Sequence, residues 1–167
     1  TGQGAMALLE LDASDTAAAI AGYPALTLAV HASPRQSVIA GPPDQVDAVI
    51  AAVAAKDLLA RRIDVDVASH HPIIDPILPE LRCALADLAP KAPPIPMFTT
   101  AVHGPTPALL DADCWAANLR NPVRFHQAIS LAAQSHHTFV EVSPHPLLTY
   151  AITDTLGETS PRVLGTL

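Results

Sequence analysis

The sequence has little of what marks many kinds of chemistry. Its two cysteines, Cys83 and Cys114, make no CxxC pair, so neither a dithiol redox motif nor a zinc ribbon is written here. No signal-peptide pattern precedes them, and the setting reads as reducing and cytoplasmic, with a disulfide between the two left open. There are eight histidines, with pairs at His70-His71 and His136-His137, but no HExxH and no carboxylates at ligand spacing. Adjacent side chains point in different directions, and no metal site is expected. GxGxxG and Walker A loops are absent, Gly2-Gln3-Gly4 being too short to count. With 9 Lys and Arg against 16 Asp and Glu, the net charge of −7 gives no basic footprint for nucleic acid or an anionic membrane surface. The most apolar window, Val46 to Ala60, is interrupted by Lys56 and Asp57 and is too short to span a membrane.

What is present is a large aliphatic fraction. Half of the residues are hydrophobic and only 4% aromatic, a mass of Ala, Leu, Ile and Val that suits helices packed on a sheet. Residues 5–11 read as a short strand, and Ser14 is placed to cap a helix over 15–22. Strands are expected at 26–31 and 37–40, then a helix over 45–56 capped by Asp44, with Val46, Val49, Ile50 and Val53 as its apolar face. In 60–67, Ile63, Val65 and Val67 alternate with Asp64 and Asp66 as in a strand. That order is the ferredoxin-like pattern, which by itself carries no function.

Beyond His70 the texture changes. A helix is expected from Asp75 to Pro90, a strand over 97–100, and a loop centred on His103-Gly104-Pro105. A short helix with Trp115 and Leu119 follows, then a helix over 123–134, a strand over 138–142 that stops at Ser143-Pro144-His145-Pro146, and a last helix over 147–156. Strands alternating with helices predict a parallel or mixed sheet covered on both faces, with function at the carboxyl ends of its strands. His70 and His145 each follow a predicted strand. The residue types leave two readings for His70, a capping or surface histidine and a general base held in a fixed direction. A base needs a nucleophile, and no G-x-S-x-G elbow occurs in the chain.

Three separated segments in order, RRIDVDVASH at 61–70, DCWAANLRNPVRF at 113–125 and FVEVSPHPLL at 139–148, resemble the acyltransferase domain of modular type I polyketide synthases. The resemblance covers essentially the whole chain but only the later part of that domain. It implies an α/β fold with an α+β insert: a ferredoxin-like subdomain at 1–67, then at 68–167 the C-terminal part of an α/β-hydrolase-like acyltransferase subdomain. The implied chemistry is a serine–histidine dyad that moves an acyl group from coenzyme A to the phosphopantetheine thiol of an acyl carrier protein. His70 falls on the family's catalytic histidine. Asn121 falls on the position whose backbone carbonyl fixes the imidazole tautomer, although as a residue before Pro122 it also reads as an ordinary helix cap.

The tetrapeptide Val67-Ala68-Ser69-His70 resembles the tyrosine-alanine-serine-histidine form that accompanies methylmalonyl selection, rather than the phenylalanine form that accompanies malonyl. A small Ser69 leaves room for an α-methyl group that an aromatic ring would fill. Val67 departs from the usual tyrosine, so the extender, or a branched or larger starter, stays open. His145 matches a family motif and is placed with Val67 and Ser69 among substrate-binding candidates, beside its reading as a turn residue. Arg120 and Arg124 are candidates for contact with an acidic carrier protein or coenzyme A phosphates. The family's serine, oxyanion glutamine and carboxylate-binding arginine find no counterpart, so the chain reads as a fragment, inactive by itself, whose partners are acyl-CoA, the carrier protein and neighbouring synthase domains. No bound cofactor is expected. The competing readings are a non-catalytic docking module and a malonyl-selective acyltransferase.

Overall fold

A computed structural model describes residues 2, 4–101, 109–157 and 162–166. The loop expected around His103-Gly104-Pro105 lies outside the described residues. Strand β1 (Ala5–Leu9), helix α1 (Ala13–Ile20), strands β2 (Thr27–Ser33) and β3 (Gln36–Gly41), helix α2 (Pro43–Ala54) and strand β4 (Ala60–Arg62) come first. They form a four-stranded sheet in the order β2-β3-β1-β4 with every neighbouring pair antiparallel. This is the connectivity of a ferredoxin-like βαββαβ unit.

The alternation within β1 explains the packing. Ala5, Ala7 and Leu9 face the helices and meet Ile39 of β3 and Val46, Val49 and Val53 of α2, all essentially removed from water. Met6 lies on the other face, in a second cluster with Ala29, Val38, Ala40 and Ala68. Both helices start at positions other than those expected. Asp12, not Ser14, caps α1, its Oδ1 accepting from the Asp15 amide at 2.7 Å. The second helix begins at Pro43 with no side-chain cap, because Pro at the first helical position needs no amide partner and has its φ already set.

A 3-10 helix (Pro72–Ile77) runs into α3 (Leu78–Ala84), where one helix from Asp75 to Pro90 was expected; Pro76 withholds an amide from the first turns and favours the tighter winding. Residues 97–100 are not a strand: among the described residues their backbone is tied to the rest of the fold by one bond, from the Arg124 amide to Thr100 O at 3.0 Å. Helices α4 (Ala112–Arg120) and α5 (Phe125–Ala132), strand β5 (Thr138–Glu141), helix α6 (Thr149–Leu156) and strand β6 (Arg162–Gly165) complete the chain. Strands β5 and β6 pair in parallel. Among the described residues, parallel pairing of whole strands is therefore confined to this two-stranded sheet. The four-stranded one is wholly antiparallel, because its hairpin and crossovers alternate the strand directions. The whole is the mixed α/β arrangement of sheets and helices expected.

A short backbone connection links the edge of the four-stranded sheet to the second half of the chain. Val123 bridges Val30 on the outer edge of β2, donating to Ala29 O at 2.8 Å while its carbonyl accepts from the His31 amide at 2.8 Å. No helix among the described residues is long and apolar enough to cross a membrane.

Candidate active site

The position of His70 begins with glycine at residue 4. After β4 the Ile63 amide donates to Met6 O at 2.9 Å, one more rung of pairing, and a tight turn from Val65 N–H to Ile63 O then lifts the chain off the sheet. The segment crosses directly over Gly4, where a Cβ would lie 2.4 Å from Ala68 N and 2.8 Å from Ala68 Cβ. Only a residue without a side chain permits that approach. Ala68 is thereby buried in the second cluster. The strand expected to reach Val67 stops at Arg62, so His70 stands on a loop anchored to the sheet rather than at a strand end.

His70 itself has φ +60°, the left-handed region that non-glycine residues seldom adopt. Its backbone is tied at both ends: the amide donates to Leu119 O at 3.0 Å and the carbonyl accepts from Thr27 Oγ1 at 3.5 Å. The half-buried ring places Nδ1 2.9 Å from the backbone carbonyl of Asn121. A carbonyl oxygen only accepts, so this contact assigns the ring proton to Nδ1 and leaves the lone pair on Nε2.

The Asn121 carbonyl points there for a local reason. Asp111 caps α4, accepting from the Cys114 amide at 2.8 Å, and the helix runs to Arg120. Pro122 bars the preceding residue from helical backbone, and Asn121 turns extended at φ −83° and ψ 156°. Its carbonyl leaves the helix axis and meets His70, while its own amide still donates to Ala117 O at 2.8 Å. The next residue but one, Val123, is pinned to β2. Arg120 forms an ion pair with Asp75 of the 3-10 helix, so its guanidinium is engaged beside this contact.

Val67 is 44% exposed and Ser69 half-buried, on either side of buried Ala68. His145 is exposed, in a loop ordered by a residue that pattern reading did not single out. Glu141, the last residue of β5, accepts at its carboxylate from the amides of Leu147 (2.9 Å), Leu148 (2.8 Å) and Thr149 (3.1 Å) and from Ser143 Oγ (3.1 Å). Burial pushes this carboxyl up, but the Leu147 and Leu148 amides, the Ser143 hydroxyl and the Thr149 amide together outweigh it and hold it below the usual glutamate range. Amides ahead of a helix start are unpaired donors, and Glu141 supplies their acceptor from outside the helix. The one available signal was a carboxylate at a strand end just before a Pro-bounded loop and a helix. The same loop brings Leu147 and Leu148 across from Ile63 and Asp64, over a groove of about 530 Å³ floored by Leu8, Val30 and Val38.

His71 was also missed as more than half of a histidine pair. It is buried, its Nε2 is 2.8 Å from Ala25 O, and its Nδ1 accepts from the Ile73 amide at 3.0 Å. The hydrogen bonds therefore place opposite tautomers on neighbouring rings. Among the described residues no group of three or more His, Cys, Asp or Glu side chains sits where it would hold a metal ion. Cys114, on α4, has its thiol pushed up by burial and by the nearby Asp111, which disfavours the thiolate a nucleophile needs.

Comparison with known proteins places this geometry in context. The family model described as "Acyl transferase domain" matches residues 1–167. A phenolphthiocerol/phthiocerol polyketide synthase polypeptide of Mycobacterium tuberculosis is 66% identical over 168 residues, which cover 100% of this chain and 9% of that protein. A second phenolphthiocerol/phthiocerol polyketide synthase polypeptide from the same species is 49% identical over 178 residues, again 100% of this chain and 9% of the relative. The chain thus spans about a tenth of the length of these curated relatives. Among solved structures, the acyltransferase domain of the polyketide synthase PpsC of Mycobacterium tuberculosis superposes with a TM-score of 0.93 at 46% identity, over 99% of this chain and 53% of that one. The acyltransferase domain from module 8 of the salinomycin polyketide synthase gives 0.91 at 36% identity, over 99% and 40%.

Proposed function

The chain belongs to the acyl transferase domain family, and from that premise we propose that it carries the histidine half of a polyketide synthase acyltransferase site. The observation that carries the proposal is the 2.9 Å contact between His70 Nδ1 and Asn121 O. It leaves Nε2 as the basic nitrogen. In this reading a serine contributed by sequence outside these residues attacks the thioester carbonyl of acyl-coenzyme A, and Nε2 takes the serine proton as the C–O bond forms. The C–S bond then breaks and His70 returns the proton to the departing coenzyme A thiolate. The second half runs the same way: His70 takes the proton of the carrier protein's phosphopantetheine thiol as it attacks the acyl-serine, then restores it to the serine oxygen. While the ring carries the second proton its Nδ1–H still donates to the Asn121 carbonyl, so the ring keeps its orientation through both transfers.

The substrate reading follows Ser69. A small, half-buried side chain one residue before the base supports room for an α-methyl group, and we assign methylmalonyl-coenzyme A as the preferred donor. A methyl-sized discrimination is worth about 1–3 kcal/mol, or about 5- to 150-fold. Val67 and His145 are proposed to border the acyl group, with neither touching the reacting atoms. The division at 67/68 into a ferredoxin-like and a larger acyltransferase subdomain belongs to the same proposal. The parallel β5–β6 pair, with Val140 and Leu164 about half exposed, supports its being part of a larger covered sheet.

The test uses the complete synthase polypeptide. Malonyl- and methylmalonyl-coenzyme A are offered together and the loaded carrier protein is weighed by mass spectrometry. Methylmalonyl loading in excess by about 5-fold or more is expected. Preference for malonyl, or loading only from a larger acyl-coenzyme A supplied as a third donor, overturns the substrate assignment alone, and carrier protein that acquires no acyl group from any of the three overturns the function and favours a docking module.

A further inference from the structure

We propose that His71 is a positioning residue for acyl transfer, an inference that rests on the role assigned to His70. Its ring ties the loop carrying His70 to the chain just ahead of the ferredoxin-like unit's second strand. Three observations carry this. The ring is buried, at 8% exposure, although histidine is a polar side chain that loses hydrogen bonds to water on burial. Both nitrogens are nonetheless satisfied: the Nε2 proton is given to Ala25 O at 2.8 Å, and Nδ1 accepts from the Ile73 amide at 3.0 Å. The two partners also lie on different parts of the fold, Ala25 just ahead of β2 and Ile73 inside the 3-10 helix that leaves the His70 loop.

The span explains why an imidazole stands here. It presents a donor and an acceptor on opposite sides of a rigid ring, so one side chain caps the 3-10 helix and holds the strand. Asparagine in the same place accepts from the Ile73 amide but is too short to reach Ala25. The room that receives Ala25 O is itself kept open by Gly41, where a Cβ would lie 2.7 Å from that oxygen. His70, one residue earlier and held at a left-handed φ, is fixed on its C-terminal side by this tether together with the long 3.5 Å contact from Thr27 Oγ1 to its carbonyl, and by Leu119 and Asn121 at its amide and ring. A misplaced base costs rate rather than binding, since small displacements from the reactive geometry slow the chemical step by up to about 100-fold.

The experiment compares His71→Asn, His71→Ala and His70→Ala in the complete synthase polypeptide, following steady-state acyl transfer to the carrier protein and the nitrogen-15 NMR signals of the His70 ring. The expected result for His71→Asn is a folded protein with kcat reduced about 10- to 100-fold, KM within about 2-fold, and a His70 ring that no longer holds a single Nδ1–H tautomer. The asparagine variant retains the helix cap, so it remains decisive if His71→Ala fails to fold. Wild-type kcat in His71→Asn overturns the inference, as does a reduced kcat with the His70 tautomer unchanged. Full activity in His70→Ala defeats the role of His70 itself and is thereby distinguished from failure of the tether alone.

Discussion

The backbone of His70 sits at φ +60°, which costs a residue with a Cβ about 1–2 kcal/mol, and three tertiary contacts hold it there. Two substitutions separate main chain from side chain at this site. Asn121→Ala retains the carbonyl and removes only an exposed amide side chain, so acyl transfer by the complete polypeptide is expected to stay within about 2-fold of wild type; a loss comparable to that of removing a general base, about 100-fold or more, contradicts the main-chain role. Gly4→Ala places a methyl group 2.4 Å from Ala68 N, inside van der Waals contact, so the loop must move. The expected result is a transfer rate reduced about 10-fold or more with the far-ultraviolet circular dichroism unchanged, and an unchanged rate rejects the argument from close approach. At this scale the sequence was legible where chemistry depends on residue type. His70 could be singled out as a candidate base, and Pro122 marks Asn121 as a residue forced out of the helix. Gly4, His71 and Glu141 could not be read, because their importance lies in contacts with residues 64, 46 and six to eight positions away.

At the scale of elements, short apolar runs marked β1, β2 and β3, of which β1 and β3 are buried on both faces, and helical spacing marked α2, whose Val46, Val49 and Val53 are its buried stripe. Leu9, at the centre of that core, is fully buried, and Leu9→Ala is expected to destabilise the fold by about 2–5 kcal/mol in urea unfolding, with a loss under about 1 kcal/mol contradicting the packing described. A period-two pattern misled at residues 63–67. Ile63, Val65 and Val67 alternate with aspartates, but Val65 and Val67 are exposed and the residue that enters the core is Ala68. The ladder gives way to the turn from Val65 N–H to Ile63 O and a single bond from the Gly2 amide to Asp66 O at 3.1 Å, and the chain then closes over Gly4, a path made by tertiary contact and invisible to periodicity. Residues 97–100 failed for the complementary reason: a short apolar run becomes a strand only where a partner edge is available, and here the backbone finds a single contact at Thr100 among the described residues.

For the whole molecule, the relation between the ferredoxin-like unit and the rest is set by a few long-range contacts. Besides the Val30–Val123 bridge, Arg35 in the β2–β3 turn meets Asp154 of α6, Nε to Oδ1 at 2.6 Å, with its amide 3.2 Å from Oδ2. Burial pushes the Asp154 carboxyl up, but the hydrogen bonds from Ser33 and Arg35 and the arginine charge outweigh it and hold it below the ordinary aspartate value. A carboxyl lowered by folding adds stability that is complete above the ordinary range near ~3.9 and is lost as pH falls through the lowered value. Asp154→Asn is therefore expected to lower the melting temperature at pH 7 by a few degrees, and the gap to wild type should close as the pH is brought down towards ~2. An equal gap at every pH would show that the charge is not what holds this contact.

The family resemblance could be read from three separated segments, and the structure joins them physically: His70 of the first meets Asn121 of the second, and the loop after β5 in the third faces Ile63 and Asp64 of the first across the groove. The decisive measurement is the rate at which the complete polypeptide bearing His70→Ala moves an acyl group from coenzyme A to a carrier protein. With His70 as the general base, the rate falls about 100- to 10,000-fold with the fold intact, the usual effect of removing such a group. Transfer at the wild-type rate would contradict that role.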